Sequence, residues 1–197
     1  MADEHDGTVF ADEDWYARDL ADTAFRECTF RGVDLSESSS RGAQFVGCRF
    51  DNCRLNVSSH HGSAFVGCDF RGTSFFDATL SGCKLDGSLF IDCTLRPLTV
   101  DGGQWRGVTM RGARLHKLRL DGVVLVEADL SDADLHEASL RGCDLSRATL
   151  RGSDLRGADL RGATLDSIDL ELAVLGDTHL DLAGAMALAE RHGAVVD

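Results

Sequence analysis

The stretch NVSSHHGSAF, residues 56–65, holds side chains that could do chemistry. Ser58 and Ser59 stand directly before His60 and His61, and Asp51 lies a few residues earlier. A serine that is activated by a histidine is a common nucleophile, and neighbouring histidines can bind a transition metal. Which of these side chains contact one another depends on the secondary structure that positions them, and the periodicity of the whole chain predicts that structure.

Composition limits the classes of function. The chain has 197 residues and carries 33 acidic against 20 basic side chains, a net charge of −13. This excess argues against direct nucleic-acid binding through phosphate neutralisation and favours a basic partner. No apolar run reaches the length of a membrane span, and the acidic start MADEHDGTVF does not resemble a signal peptide. Seven cysteines without a secretion signal indicate free thiols in a reducing cytoplasm, so we expect a cytoplasmic protein that does not bind membranes.

A repeat of five residues runs through the chain. From Leu20 to Leu180, every fifth residue is Leu or Phe at 28 of 33 positions, which we call centre positions. The exceptions are Ser40, His60, Val100, Trp105 and Met110. The residue two before a centre is nearly always small, and all seven cysteines occupy this small position. Because charged residues avoid both positions, we predict that these two point inward and the other three face water.

The period of five predicts an all-β solenoid. Neither a helix nor an ordinary strand repeats every five residues, but a chain that turns about 90° at each repeat would close a coil after about 20 residues. About eight such coils over residues 18–180, stacked about 4.8 Å apart, would form a rod about 40 Å long. Seventeen of 21 glycines lie two residues after a centre, where the third residue of a type II turn needs a positive φ.

The two ends of the chain depart from the repeat. Residues 1–17 are predicted to form an acidic N-terminal tail and a degenerate cap, with residues 1–9 disordered. Residues 181–197 are predicted to form a short C-terminal α-helix and tail, with Asp181 as N-cap and Gly193 as stop. The helix would cover the last coil and also make a homodimer contact. The predicted dimer interface comprises Leu182, Met186 and Ala189.

The repeat A(D/N)LXX, with Leu or Phe central, resembles that of the pentapeptide repeat family over about residues 18–182. The resemblance implies a right-handed quadrilateral β-helix. Within the family, GSLFIDCTLRPLTV (residues 87–100) and AMALAERHG (residues 185–193) are most similar to the gyrase-targeting branch, the MfpA and Qnr proteins, and to MfpA in particular. This implies a homodimeric DNA mimic that binds the DNA-binding saddle of DNA gyrase, on the GyrA side. Such a protein inhibits gyrase or protects it from fluoroquinolone-type poisons, which confers antibiotic resistance.

Charged residues cluster along the chain, and their positions bear on the implied binding to gyrase. A basic belt, residues 95–120, is followed by a first acidic belt, residues 121–137, and a second acidic belt, residues 166–181. If the C-terminal helix forms the dimer, the acidic belts flank the twofold axis and suit a positively charged partner. The predicted gyrase-binding residues are Asp121, Glu127, Asp129, Asp132, Asp134, Glu137, Asp166, Asp169, Glu171 and Asp177.

Other functions remain open at this point. A solid rod without loops offers no catalytic pocket, so we expect no enzymatic activity, no catalytic residues, no metal site and no cofactor. A self-resistance protein against a gyrase-targeting natural antibiotic, or an interaction scaffold with another target, would also fit the repeat. As for NVSSHHGSAF, the phase places His60 at a centre with Ser40 one coil earlier, and Ser38 and Ser58 at inward small positions. We therefore predict a buried polar plug, with His61 pointing outward, in place of a catalytic cluster.

Overall fold

The computed structural model describes residues 3–191 and 193–196 and contains short parallel strands and one helix. Each strand is centred on a Leu, Phe, Ser, His or Val of the repeat, because the extended residues of each repeat surround its inward centre. The elements in chain order are β1 (Glu4–Asp6), β2 (Val9–Ala11), β3 (Ala24–Arg26), β4 (Thr29–Arg31), β5 (Ser39–Arg41), β6 (Gln44–Val46), β7 (Arg49–Asp51), β8 (Ser59–His61), β9 (Ala64–Val66), β10 (Asp69–Arg71), β11 (Ala78–Ser81), β12 (Leu89–Ile91), β13 (Leu98–Asp101) and α1 (Leu182–Arg191).

The strands stack into a parallel β-solenoid with about five turns of named strands. They form three sheets, with the orders β1-β3-β6-β9, β2-β4-β7-β10-β12 and β5-β8-β11-β13. Registered partners lie four repeats apart in sequence, as Phe30, Phe50 and Phe70 do. Isolated parallel bridges supply a fourth column, which begins with Asp14↔Asp34. Further isolated bridges extend the other columns by the same step of 20 residues, and the last of them is Asp159↔His179. The predicted coil of four repeats is therefore confirmed.

Side chains at the centre positions fill the interior. In the N-terminal half, Phe rings stack along the axis, with centroids 4.8 Å apart for Phe25 and Phe45 and 4.6 Å apart for Phe45 and Phe65. In the C-terminal half, Leu takes their place, and Leu125, Leu130 and Leu135 are fully buried. Burial at about 25 cal/mol per Å², together with offset ring stacking, stabilises a fold that has no long element of its own.

A backbone conformation with positive φ recurs at each corner of the coil. We call the residue two after a centre the corner position. Seventeen glycines and seventeen other residues at this position have φ between 50° and 73°. Glycine adopts this region without the steric cost that a Cβ brings, which explains its enrichment there. Pro97 occupies a corner position too, and it is absent from the residues with positive φ.

The N-terminal segment corrects one prediction. Disorder of residues 1–9 was wrong for the described part, because β1 pairs with β3 and the Ala24 N–H donates to the Asp3 carbonyl at 2.9 Å. His5 takes a centre position and stacks on Phe25, with ring centroids 5.0 Å apart and an interplanar angle of 11°. An aromatic ring at the centre thus extends the core by one layer. Met1 and Ala2, also included in that prediction, lie outside the described residues.

The C-terminal helix forms where the repeat stops. α1 begins one residue after Asp181, whose carboxylate accepts the Gly184 N–H at 2.8 Å, so the predicted N-cap is confirmed. Gly184 is buried, and a Cβ there would lie 3.4 Å from Leu165 and 3.3 Å from Leu180. Leu188 also lines a small cavity with Leu180, so α1 packs over the last coil. Gly193 follows the helix with φ 83°, while His192 and Asp197 lie outside the described residues. No helix in the described part of the chain has the length and apolarity that crossing a bilayer requires.

Candidate functional site

The residues of NVSSHHGSAF form a buried hydrogen-bond chain. The Ser40 and Ser63 hydroxyls lie 2.8 Å apart, and Ser40 Oγ lies 2.7 Å from His60 Nδ1. His60 Nε2 lies 3.1 Å from Ser58 Oγ, and the Ser58 hydroxyl donates to the Leu55 carbonyl at 2.7 Å. Since Ser58 donates its only proton to Leu55, His60 donates from Nε2 and accepts the Ser40 proton at Nδ1. In its neutral form, His60 therefore carries its proton on Nε2.

Burial removes this cluster from solvent. His60 is 1% exposed, and Ser40, Ser58 and Ser63 are buried with it. Burial lowers the pKa of His60 to about 4, with a smaller contribution from the neighbouring His61. The predicted polar plug is confirmed at Ser40, Ser58 and His60. Ser38 is buried as predicted, but its hydroxyl has no hydrogen-bond partner among the described residues.

Two residues of the plug differ from the prediction in detail. Ser63 was missed, although it occupies a small position and its phase already places it inward. His61 turns away from His60, as predicted, but it is half-buried and lies 3.0 Å from the Ser59 hydroxyl. The outward side chain thus folds back along its own strand instead of extending into solvent.

The cysteines serve the stacking of the coils. All seven are free, and six are buried, while Cys93 is half-buried. Cys53 donates to the Phe30 carbonyl at 3.3 Å and Cys68 to the Phe45 carbonyl at 3.3 Å, in each case a centre residue of the preceding coil. Thr73 and Ser88 make the same bond. Within the described chain, no group of three or more His, Cys, Asp or Glu side chains is placed to hold a metal ion.

The first acidic belt, residues 121–137, is largely paired with bases. Arg111 Nε donates to Asp129 at 2.5 Å, and Lys117 lies 3.4 Å from Glu137. Arg147 contacts Glu127 at 2.7 Å, and Arg119 contacts Asp121 at 2.9 Å. Asp134 lies 3.0 Å from Nδ1 of His116. The four pairs with Arg or Lys are worth about 0 to 1 kcal/mol each, and they remove net charge from the belt.

Two of these carboxylates have a shifted pKa. Burial raises the pKa of Asp121, but hydrogen bonds from Ser139 and Arg119 outweigh it and the net shift is downward. Burial likewise raises the pKa of Asp129, and hydrogen bonds from Ser131 and Arg111 reverse the sign. Both groups are therefore ionised at neutral pH.

The second acidic belt, residues 166–181, carries fewer contacts. Glu171 pairs with Arg151 at 3.0 Å, and Asp169 accepts the Glu171 N–H at 3.0 Å. Asp166 and Asp177 are exposed, as is Asp132 of the first belt. For the carboxylates of these three residues, no ion pair is found within residues 3–191. They are the predicted site residues that present an uncompensated charge to solvent.

The solenoid spreads the predicted acidic residues around the rod. Asp129 and Asp169 lie in the same column, where Thr149 is bridged to both of them. Glu137 and Asp177 occupy the same corner of the solenoid, two coils apart. Each belt spans most of one coil, so its acids encircle the axis. The structure therefore brings the site residues together as two bands. The Arg partners from neighbouring coils were not predicted individually, although their spacing of 18 or 20 residues carries the signal.

Apolar side chains are exposed around the C-terminal end. Leu182 is 77% exposed and Met186 is 36% exposed, and Ala189 is half-buried. Leu172, 73% exposed, and Val174 lie on the adjacent coil, and Val195 follows the helix. The predicted interface residues thus lie on an apolar surface that the described part of the chain does not fully cover.

Comparisons with known proteins agree with this geometry. A trypsin-treated variant of QnrB1, a plasmid-mediated fluoroquinolone resistance protein, matches with 25% identity and a TM-score of 0.63, over 100% of this chain and 99% of that chain. Full-length QnrB1 matches with 21% identity and a TM-score of 0.66, over 97% and 100%. HetL, a pentapeptide repeat protein involved in heterocyst differentiation regulation from the cyanobacterium Nostoc, matches with 24% identity and a TM-score of 0.53, over 89% and 88%.

Sequence-level comparison gives the family. None of the curated protein sequences matches this chain. The family model for pentapeptide repeats matches in eight copies, over residues 19–56, 61–92 and 128–166, which is more than half of the chain. With its period of five, its parallel solenoid and this match, the chain belongs to the pentapeptide repeat family.

Proposed function

We propose that this protein is a non-enzymatic mimic of DNA that binds DNA gyrase and inhibits it or protects it from fluoroquinolone-type poisons. The observation that carries the proposal is the match to QnrB1, a fluoroquinolone resistance protein, over the full length of both chains at 25% identity. The fold alone would be a weak argument, because one fold hosts many functions. The acidic bands add an argument from the surface itself.

The proposal includes the shape of the whole molecule. A right-handed quadrilateral rod of about eight coils, closest in type to the MfpA branch, would carry its charge along one axis. The column of parallel pairs that steps by one coil at a time from Glu4, through Lys84 and Gln104, to Thr164 supports this coil count. Asp132, Asp166 and Asp177 would be the strongest contacts for a basic saddle, because other carboxylates of the belts already pair with bases.

The proposal also includes a homodimer in the cytoplasm. Among the described residues, eleven large hydrophobic side chains are exposed, and six of them lie between residues 172 and 196, around the predicted interface. Exposed apolar side chains gathered in one part of the chain favour an association surface there. Joining two copies there would place the second acidic belts on both sides of the twofold axis.

A gyrase supercoiling assay tests the proposal. The purified protein is titrated into the reaction with and without a fluoroquinolone, and the reaction products are resolved by gel electrophoresis. We expect either loss of supercoiling or loss of drug-induced cleavage at micromolar protein. If supercoiling and cleavage are both unchanged, the proposal is wrong, and a scaffold with another target becomes the better explanation.

A further inference from the structure

The ladder between coils is interrupted once, on two of its four columns. Bridges join Ser74 to Thr94 and Arg114 to Asp134, but Thr94 and Arg114, one step apart, are not bridged in the described structure. The next column has the same gap between Thr99 and Arg119, although Arg119 is bridged to Ser139. The other two columns stay closed at this level, through Lys84↔Gln104 and Leu89↔Thr109. The solenoid is therefore open on one side only.

Pro97 accounts for the opening. It occupies a corner position between the two open columns, and 34 other corner residues, 17 glycines and 17 others, have positive φ. A proline ring holds φ near −65°, so the corner cannot take its usual conformation. Proline also lacks the N–H that the equivalent residues Val57 and Lys117 donate to the next coil, at 2.8 Å and 2.9 Å. The coil that contains Pro97 therefore cannot stack on its successor along these columns.

The opening is a groove lined with cations. It consists of two neighbouring cavities of about 360 Å³ and 390 Å³, one on each open column. Their charged lining residues are Asp92, Arg96, Arg111, Arg114, Lys117 and Arg119. Arg114 is exposed and has no ion pair within residues 3–191, and Arg96 contacts His116 in place of an acid. Arg111, Lys117 and Arg119 already pair with acids of the first belt, so Arg96 and Arg114 are the bases that the groove leaves available.

Main-chain groups along both walls lack their usual partners. The Phe75 N–H donates to the Thr94 carbonyl at 2.8 Å, and the Leu115 N–H to the Asp134 carbonyl at 2.8 Å. Between these, no bond joins the Leu95 N–H to the Arg114 carbonyl, or the Arg119 N–H to the Leu98 carbonyl, in the described structure. Unpaired donors and acceptors at strand spacing are what an added strand satisfies.

We propose that this groove binds an extended acidic peptide segment of a partner protein by strand addition. The peptide main chain would bond to the free N–H and C=O groups of the two walls, and its carboxylates would pair with Arg114 and Arg96. A nucleic acid offers no alternating amide donors and acceptors, so the open main-chain groups favour a peptide over a nucleic acid. The groove lies outside the acidic bands, so this inference does not depend on the proposed function.

Fluorescence anisotropy with labelled octapeptides tests the inference. The probe alternates Glu with Val, and two comparison peptides alternate Glu with Pro, which removes amide donors, and Lys with Val, which reverses the charge. We expect the Glu–Val peptide to bind the full chain at least about tenfold more tightly than either comparison peptide. Arg114→Glu should weaken binding at least about tenfold, and Arg114→Gln by less. The matched control is Arg49→Glu, since Arg49 is also exposed and directly precedes a centre.

Several outcomes would overturn the inference. One is no binding of the Glu–Val peptide up to about 1 mM. Another is an equal loss in Arg114→Glu and Arg49→Glu, with both variants folded by circular dichroism. Equal binding of the Glu–Pro peptide would show attraction by charge without strand addition. Tighter binding of a labelled single-stranded oligonucleotide, or displacement by inorganic phosphate, would assign the groove to phosphate instead.

Discussion

His60 shows how one polar residue is accommodated in a column of Leu and Phe. Its ring occupies a centre position, where Leu80 lies one coil later, and serines from its own coil and the neighbouring one bond both of its nitrogens. A buried polar group costs little when its hydrogen bonds are made, and much when it must carry charge. His60 is therefore stable as a neutral side chain and unstable as a cation.

This leads to a prediction about pH. The pKa of His60 is about 4 in the fold, below its ordinary value of 6.5, so the unfolded chain binds more protons between these values. The stability that neutral His60 contributes is complete above the unfolded pKa and is lost as pH falls toward the folded one. Between about pH 7.5 and about pH 4.5, the free energy of unfolding should fall by about 2 to 3 kcal/mol more than in a variant without the histidine.

Chemical denaturation of the native chain and of Ser40→Leu/His60→Leu checks this prediction. The double variant restores an apolar column, so it keeps the packing and removes the titrating group. Parallel pH profiles of the two proteins would contradict the assignment of His60 as a neutral buried group.

For single residues, the sequence predicts whether a side chain points inward or outward, but it does not predict its hydrogen-bond partners. The phase of five predicts that His60 and Ser58 point inward, because each phase has one orientation in every coil. The phase does not predict that the Ser38 hydroxyl has no hydrogen-bond partner among the described residues while Ser63 bonds Ser40, because both serines occupy the same phase. That difference depends on distances within the packed core, which the repeat does not encode.

At the scale of the element, the coil is the unit and the corner controls its stacking. Coils join where the corner residue has positive φ, and they separate at Pro97, where that conformation is closed to the chain. The sequence contains this signal, since Pro97 is the single proline and stands at a corner position. The centre positions stay apolar across the break, so the pattern that predicts the coils gives no warning of it.

Hydrogen exchange should reveal the break directly. The amides of Leu95 and Arg119 lack the bonds that their counterparts Phe75 and Ser139 make to the neighbouring coil, at 2.8 Å and 2.9 Å. We expect Leu95 and Arg119 to exchange about 100-fold faster or more than Phe75 and Ser139, by mass spectrometry or NMR. Equal protection of the two pairs would show that the ladder is closed in solution, and would remove the basis of the groove.

At the scale of the whole molecule, the two ends of the rod are different. The N-terminal end closes with rings, His5 and Phe10 against Phe25, whereas the C-terminal end closes with α1 and leaves apolar side chains exposed. An amphipathic periodicity over one short helix predicted α1 and its N-cap. The exposed Leu172 and Val174 could not be assigned beforehand, because they belong to the last coil and only the packing of α1 decides what it covers.

The dimer prediction belongs to this scale. Met186→Glu places a charge on the exposed face of α1, which an apolar interface would have to bury unpaired. In size-exclusion chromatography with light scattering, the wild-type chain should have twice the 21.2 kDa mass of one chain, and Met186→Glu should have that mass once. Val57→Glu is the matched control, since Val57 is also exposed but lies far along the chain from α1. An unchanged mass of Met186→Glu would reject α1 as the interface.

The proposed binding of gyrase depends on how charge is distributed over the rod. Position along the sequence identified the acidic belts, but it could not show which acids are neutralised, because their partners come from neighbouring coils. Asp132 and Asp177 are exposed corner residues without an ion pair in the described chain, and Asp12 and Asp77 occupy the equivalent corners in earlier coils. Replacing either pair with lysine changes the net charge equally, so the two variants differ only in position.

The most direct measurement is therefore the affinity of purified gyrase for immobilised wild-type protein and for these two variants. We predict that Asp132→Lys/Asp177→Lys weakens binding at least about tenfold, and that Asp12→Lys/Asp77→Lys stays within about twofold of wild type. Equal losses of affinity in the two variants would show that only the overall charge matters. An absence of gyrase binding by the wild-type protein would contradict the proposal that this protein binds gyrase.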